Sequence, residues 1–306
     1  MGTPVFAVET LKAIHNSSHE VVGVVTATDK PAGRGKKLKS SAIKIYAQEN
    51  NINLLQPDNL KDISFVSELK KLKADLFIVV AFRMLPKIIW EIPSKGTMNL
   101  HASLLPQYRG AAPINWAIIN GEKKSGITTF LIDDKIDTGQ ILLQEDLKIN
   151  EGDNAGVLHD LMMNKGAQLV LNTINALNNN EISPKQQEIE GIELKNAPKL
   201  NKKNTRISWD DTAMKIRQLI LGLSPYPGAW THLIYNNKSF NFKIFNARIH
   251  DTILANGELQ IINDQLLVGT CNGSLELIEV QMEGKKRMSV KDFINGNQYL
   301  QNCKLL

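Results

Sequence analysis

Two short runs, VVGVVT at residues 21–26 and DLFIVVA at residues 75–81, limit the fold of this chain more than any other feature. Both are β-branched and apolar with little alternation, as strands are when a sheet is covered on both faces. Helical periodicities surround them at residues 5–14, 40–50 and 59–72. Strand–helix alternation of this kind builds an α/β sheet with right-handed crossovers. Further strands are expected at residues 96–101, 126–132 and 139–147, and a long helix at 153–177 with Leu158, Leu161, Met162, Leu169 and Leu177 near one face. Residues 181–204 lose this periodicity and gather Asn, Glu, Lys and Pro, as a linker does. A domain at 1–180 is therefore expected to precede a second at 205–306. In that second part a helix at 209–222 gives way to runs punctuated by Asn236-Asn237, Asn256-Gly257, Asn263-Asp264 and Asn272-Gly273. This is the pattern of antiparallel hairpins closing a small sandwich or barrel.

Composition sets the outer limits. A chain of 306 residues leads to an expectation of about two domains. The longest purely apolar run, residues 76–82, is far too short to span a bilayer, and residues 1–30 carry no secretion signal. Cys271 and Cys303 supply neither a disulfide framework nor a zinc site, so a reduced, cytoplasmic setting without a membrane partner is expected. The net charge of +5 gathers at residues 30–44, 199–206 and 285–291, which points to a polyanionic partner. No exposed apolar heptad or edge strand stands out, and a monomer is expected.

The segment with most chemistry is NLHASLLPQYRGAAPINW, residues 99–116. Asn99 and His101 are two apart at the end of an expected strand, so both project from one face. A carboxamide donates to a developing oxyanion, and an imidazole moves protons near neutral pH. Ligands of open α/β sheets bind at the carboxyl ends of strands, where this pair falls. By spacing alone, a satisfied strand-end histidine with an Asn helping the turn is the better explanation of the pair. The cluster DDKIDTG holds Asp133, Asp134 and Asp137, but Lys135 opposes a cation and no histidine stands at ligand spacing, so no metal is expected. One aspartate orienting a histidine fits better, although nothing in the spacing shows that Asp137 reaches His101.

These two motifs together resemble the folate-dependent formyltransferases, which share the Asn-x-His…Ser-Leu-Leu-Pro core and a downstream Asp. The resemblance implies a Rossmann-like formyltransferase domain that takes a formyl group from 10-formyltetrahydrofolate, without a metal, and passes it to an amine. It also implies that Asn99 steadies the oxyanion, that His101 acts beside it as a charged or proton-donating group, and that Asp137 holds the imidazole. The folate would lie against Phe82, Met84, Leu85 and Pro86, against Ser103, Leu104, Leu105 and Pro106, and against the loop containing Asp133 and Gly139.

The amine is addressed by DKPAGRGKKLKSS, residues 29–41. A phosphate-binding P-loop fails here, because Lys30 stands at its first glycine position. A dinucleotide fingerprint fails at Leu38, where its third glycine belongs. What remains is a basic loop resembling the insertion loop of the methionyl-tRNA branch of the family. The resemblance implies that Arg34, with Lys36, Lys37 and Lys39, contacts the acceptor end of initiator methionyl-tRNA. The stretches APKLNKKNTRISW, SPYPGAW and EGKKRMS resemble the linker and C-terminal OB-like barrel of the same branch. They imply further RNA contacts from Lys202, Lys203, Arg206, Lys285, Lys286 and Arg287. The competing branch is one that formylates an aminosugar nucleotide, in which a basic loop would hold the diphosphate. Members of the family begin with an apolar strand before the GTPxFA turn, whereas here Met1 directly precedes GTPVFA. The first strand of the sheet is accordingly expected to be missing, leaving a slot with unpaired backbone groups.

Overall fold

The computed structural model describes residues 1–32, 37–297, 300 and 303–306. The chain forms two compact units that interleave along the sequence. The first comprises Met1–Gly110, Lys124–Lys148 and His159–Asn196, and the second Ala111–Lys123, Ile149–Leu158 and Ala197–Leu306. The division expected at 1–180, 181–204 and 205–306 runs by sequence position, whereas by contacts two early stretches join the second unit. Packing explains the first of them. The helix Pro113–Ile119 lies against the helix Ala213–Leu223, where a Cβ on Gly222 would stand 2.4 Å from Ile119 Cγ1. Asn115 Nδ2 also donates to Gly222 O at 2.7 Å.

In the first unit β1 (Val24–Val25) pairs in parallel with β2 (Leu54–Leu55). A second group contains β3 (Phe77–Val80), β4 (Thr97–His101), β5 (Lys124–Leu131) and β6 (Ile141–Lys148). Within it β3 and β4 are parallel, whereas β4–β5 and β5–β6 are antiparallel. The parallel-rich sheet expected from the sequence is therefore mixed. A short connection between β5 and β6 leaves no length for a crossover, so those strands must pair as a hairpin. Helices Val5–His15, Ala42–Glu49 and Ile63–Lys71 fall where the periodicity put them. Ser41 and Asp62 cap the latter two by accepting from backbone N–H groups of their first turns, which supplies partners the helix cannot provide itself. Val25, Leu55, Phe65, Leu69, Phe77, Val79 and Ile89 form one buried cluster among these elements.

Between β1 and β3 the chain supplies Met1 and Gly2. Gly2 N donates to Val25 O at 3.0 Å, and Val80 N donates to Met1 O at 2.9 Å. The terminal amine donates to Ile78 O at 2.6 Å. These bonds make a parallel bridge between Gly2 and Val80. Alanine would not fit at Gly2, since its Cβ would lie 2.5 Å from that of Ala7. Beside the amine a cavity of about 560 Å³ runs on between the two strand groups, lined by Val24, Leu69, Leu72, Ile78, Ile174 and Leu177 among others.

The second unit contains β7 (Ala229–Tyr235), β8 (Lys238–His250), β9 (Leu259–Ile262), β10 (Gln265–Thr270), β11 (Gly273–Met282) and β12 (Lys304–Leu305). Their order is β9-β10-β11-β8-β7-β12, antiparallel throughout, with Met288–Ser289 adding to β11. Asn236 and Asn237 have φ of 47° and 58°, and Asn263 and Asp264 have φ of 51° and 61°. Such left-handed pairs match the twist of the strands they join, and Asn and Asp tolerate them best. Among the described residues, the two ends of this sheet meet at an isolated bridge between Glu258 and Lys304, and no ladder closes it into a barrel. No helix among the described residues is long and apolar enough to cross a membrane.

Candidate active site

Asn99 and His101 both lie on β4, two residues apart and so on one face of the sheet. Asn99 stands between Val79 of β3 and Phe130 of β5. Among the described residues its half-buried carboxamide has no hydrogen-bond partner, which leaves its donors available to a substrate oxygen. His101 is 7% exposed, with its ring edge-on to Phe130. Its Nε2 lies 2.9 Å from Tyr108 O. A carbonyl only accepts, so Nε2 carries a proton and the tautomer is fixed. The other nitrogen, Nδ1, faces Asp137 Oδ2 at 3.8 Å. A proton taken up at Nδ1 therefore meets a carboxylate. The structure supplies the proximity that spacing left open.

Asp137 is placed by three elements. It has φ of 55°, in the left-handed region. Its Oδ2 accepts from Gly110 N at 2.9 Å. Its carbonyl accepts from Gln187 Nε2 at 2.9 Å, and the same Nε2 donates to Gly139 O at 2.8 Å. Arg109 in turn donates to Gln187 Oε1 through Nε at 3.1 Å. Gln187 is a residue that sequence reasoning missed. It lies in the supposed linker, and neither its type nor its spacing announces a partner. The segment is ordered because Lys185 exchanges backbone hydrogen bonds with Ile141, at 2.9 and 2.8 Å, alongside β6.

The Ser-Leu-Leu-Pro loop is fixed from below. Ser103 Oγ donates to Gln107 O at 2.6 Å, and Thr128 Oγ1 donates to Ser103 O at 2.7 Å. Gln144 Nε2 donates to Leu105 O at 2.9 Å. Leu104 sits over Gly126, where a Cβ would approach Leu104 Cδ2 to 2.5 Å. Asp133 builds its own loop by accepting from Thr138 Oγ1 at 2.8 Å and from Lys135 N at 3.0 Å. Gly139 is required beside it, since a Cβ there would stand 1.7 Å from Leu131 O. In the Phe82–Pro86 segment Met84 is 74% exposed, whereas Leu85 belongs to the buried cluster and has only its backbone to offer a ligand.

The basic residues divide into distinct groups. Arg34 and Lys36 lie outside the described residues. Lys37–Lys39 pairs antiparallel with Lys30–Ala32, and Lys39 is exposed. The base of this hairpin is fixed by Asp29, which accepts from Lys44 Nζ at 2.6 Å and from Gln56 Nε2 at 3.3 Å. The hydrogen bond from Lys44 is the main cause that holds the Asp29 carboxyl below its ordinary range. Lys202, Lys203, Lys285 and Lys286 are exposed. Arg206 stacks over the Trp230 ring at 5.6 Å. Arg287 is already engaged, donating through Nε and Nη2 to the two carboxylate oxygens of Glu279 and lying 4.2 Å above the Phe245 ring.

A carboxamide with free donors beside a carboxylate-backed imidazole, at the end of a mixed α/β sheet, is the equipment of an acyl-group transferase without a nucleophile of its own. Residues 1–174 match the formyl transferase family and residues 199–298 match the formyl transferase C-terminal domain, and the chain belongs to that family. A methionyl-tRNA formyltransferase of Flavobacterium johnsoniae is 50% identical over 100% of this chain and 97% of its own length. One from Thermodesulfovibrio yellowstonii is 44% identical over 97% of this chain and 94% of its own. Among solved structures, an N-formyltransferase from Helicobacter canadensis in complex with folinic acid and dTDP-3-aminofucose superimposes with a TM-score of 0.65. It is 22% identical, covering 90% of this chain and 96% of that one. HypX from Aquifex aeolicus gives a TM-score of 0.60 at 18% identity, covering 81% of this chain but 43% of that longer one. At such identities these two likenesses establish the fold alone.

Proposed function

We propose that this chain transfers the formyl group of 10-formyltetrahydrofolate to the amino group of methionine on initiator methionyl-tRNA. The family and the near-full-length relatives support the reaction. The observation on which its chemistry rests is the placement of Asn99 and His101 on one strand face with Asp137 behind the imidazole. The bound folate supplies the formyl carbon. The attacking amine forms the new C–N bond as the bond to the folate nitrogen breaks. Asn99 donates to the formyl oxygen as negative charge develops there, an interaction stronger at the barrier than in the ground state. His101 receives the amine proton at Nδ1 and passes it to the departing folate nitrogen, and Asp137 stabilises the imidazolium while it lasts. The pinned Ser103–Pro106 and Asp133–Gly139 loops present backbone to the folate, and Phe82–Pro86 forms its remaining wall. The basic hairpin around residues 30–39 and the exposed lysines of the second unit bind the acceptor arm, and the enzyme acts as a monomer.

The test is a competition among acceptors. Wild-type enzyme and formyl donor are given methionyl initiator tRNA, methionyl elongator tRNA or an aminosugar nucleotide, and formyl transfer is followed. Transfer to initiator methionyl-tRNA is expected, and transfer confined to the sugar overturns the proposal.

A further inference from the structure

In the second unit a cavity of about 700 Å³ opens where the turn at residues 199–205 and the turn at 226–228 meet strands β7 and β8. Its wall carries three ammonium groups, from Lys199, Lys202 and Lys243, and two large rings, from Tyr226 and Trp230. Among the described residues no carboxylate belongs to that wall. The nearest acid by connection, Glu283, accepts from the backbone of Asn241 at 2.9 Å.

Hydrogen bonds hold this arrangement together. Trp230 Nε1 donates to Lys202 O at 3.1 Å and to Thr205 Oγ1 at 3.2 Å, so the lysine-bearing turn hangs from the indole. Lys243 Nζ donates to Pro227 O at 2.8 Å, which ties β8 to the turn carrying Tyr226. Trp230 is partly covered, with His232 edge-on at a centroid distance of 5.2 Å and Arg206 over its ring. Tyr226 contrasts with it. Its side chain is 82% exposed at the cavity, and among the described residues no ring or cation packs against it.

Ammonium groups alone take any small anion, and an exposed ring alone takes any flat apolar surface. Together, in a cavity of nucleotide size free of acidic groups, they select a ligand with a planar base and a phosphate. We infer that this cavity seats one unpaired nucleotide of a single-stranded nucleic-acid end, its base stacked on Tyr226 and its phosphate between Lys202 and Lys243. The inference rests on the reading of the partner as an RNA, but not on the chemistry at His101.

The test uses the full-length chain without folate. Calorimetric titration with 5′-AMP, adenosine and inorganic phosphate is expected to show AMP binding more tightly than either part alone. Base–aromatic stacking is worth about 1–3 kcal/mol, so Tyr226→Ala should weaken AMP roughly tenfold while Tyr226→Phe retains it. Lys243→Met should weaken AMP and phosphate but leave adenosine unchanged. In the transfer assay Tyr226→Ala should raise KM for methionyl-tRNA by about tenfold, with KM for the formyl donor unmoved. AMP binding no tighter than phosphate, or a Tyr226→Ala variant that alters neither AMP affinity nor that KM, overturns the nucleotide seat. Transfer by wild-type enzyme to a sugar nucleotide alone, with AMP binding still dependent on Tyr226, instead overturns the choice of tRNA and leaves the seat standing.

Discussion

Asp137 combines two requirements in one side chain: a negative charge opposite His101 Nδ1 and a backbone in the left-handed region. Asn tolerates that backbone and still accepts from Gly110, so Asp137→Asn removes the charge while keeping the loop. A fall in kcat of about 10²-fold with an unchanged Tm is expected, whereas Asp137→Ala should also lose about 1–3 kcal/mol of stability to backbone strain. Thermal melts and steady-state rates on both variants separate the two effects. Asn99→Ala and His101→Ala should each cost about 10²–10³ in rate with circular dichroism unchanged, and near-native turnover in either would refute the assigned roles. At this scale the sequence made Asn99 and His101 legible, because strand alternation alone puts positions two apart on one face. Asp137 needed the fold to reach the histidine, and Gln187 was invisible because a backbone-binding carboxamide has no characteristic spacing.

The elements tell a similar story. Helices Val5–His15 and Ala42–Glu49 follow from their apolar periodicity, and strands such as Phe77–Val80 from β-branched runs. Pairing direction was less legible, since it depends on the length of a connection and not on the strands themselves. The β5–β6 hairpin arises that way, and the 185–187 segment is held beside it by the backbone bonds between Lys185 and Ile141. They meet at the loop bearing Asp137, which gives two tests. Gly139→Ala would drive a Cβ into Leu131 O, and a loss of roughly 1–3 kcal/mol with reduced kcat is expected from thermal melts and rates. Gln187→Ala removes the donor that joins the carbonyls of Asp137 and Gly139. Each such bond contributes about 0.5–1.5 kcal/mol, so kcat should drop by about threefold to tenfold while KM for methionyl-tRNA stays the same. Gln187→Glu, which cannot donate, should behave like the alanine variant.

For the whole molecule, two stretches ahead of residue 160 cluster with the second unit, a discontinuity that composition along the chain does not express. The stability of the 306-residue chain has a distinctive pH dependence. Met1 as a residue is only half-buried, but burial of its amine pushes that group's pKa from 8.0 down to about 5. Between these values the unfolded chain holds a proton that the folded chain has shed, so stability rises with pH from 5 to 8. Below about pH 5 the penalty is complete, at up to about 4 kcal/mol if the adjoining cavity is dry. Nα-acetylation removes the titrating group, and the Tm advantage of the acetylated chain should widen as pH falls from 8 to 5. A Tm difference that stays constant across that range would show that the amine is hydrated.

The same amine also makes the sheet report on its own opening. An acylating reagent needs a free, deprotonated nitrogen in contact with solvent. The nitrogen of Met1 is held against Ile78 O, and parting of the strands on either side breaks that contact and frees it to react. The rate of its modification, set against that of an exposed lysine such as Lys39, measures how often the middle of the sheet comes apart, without any denaturant.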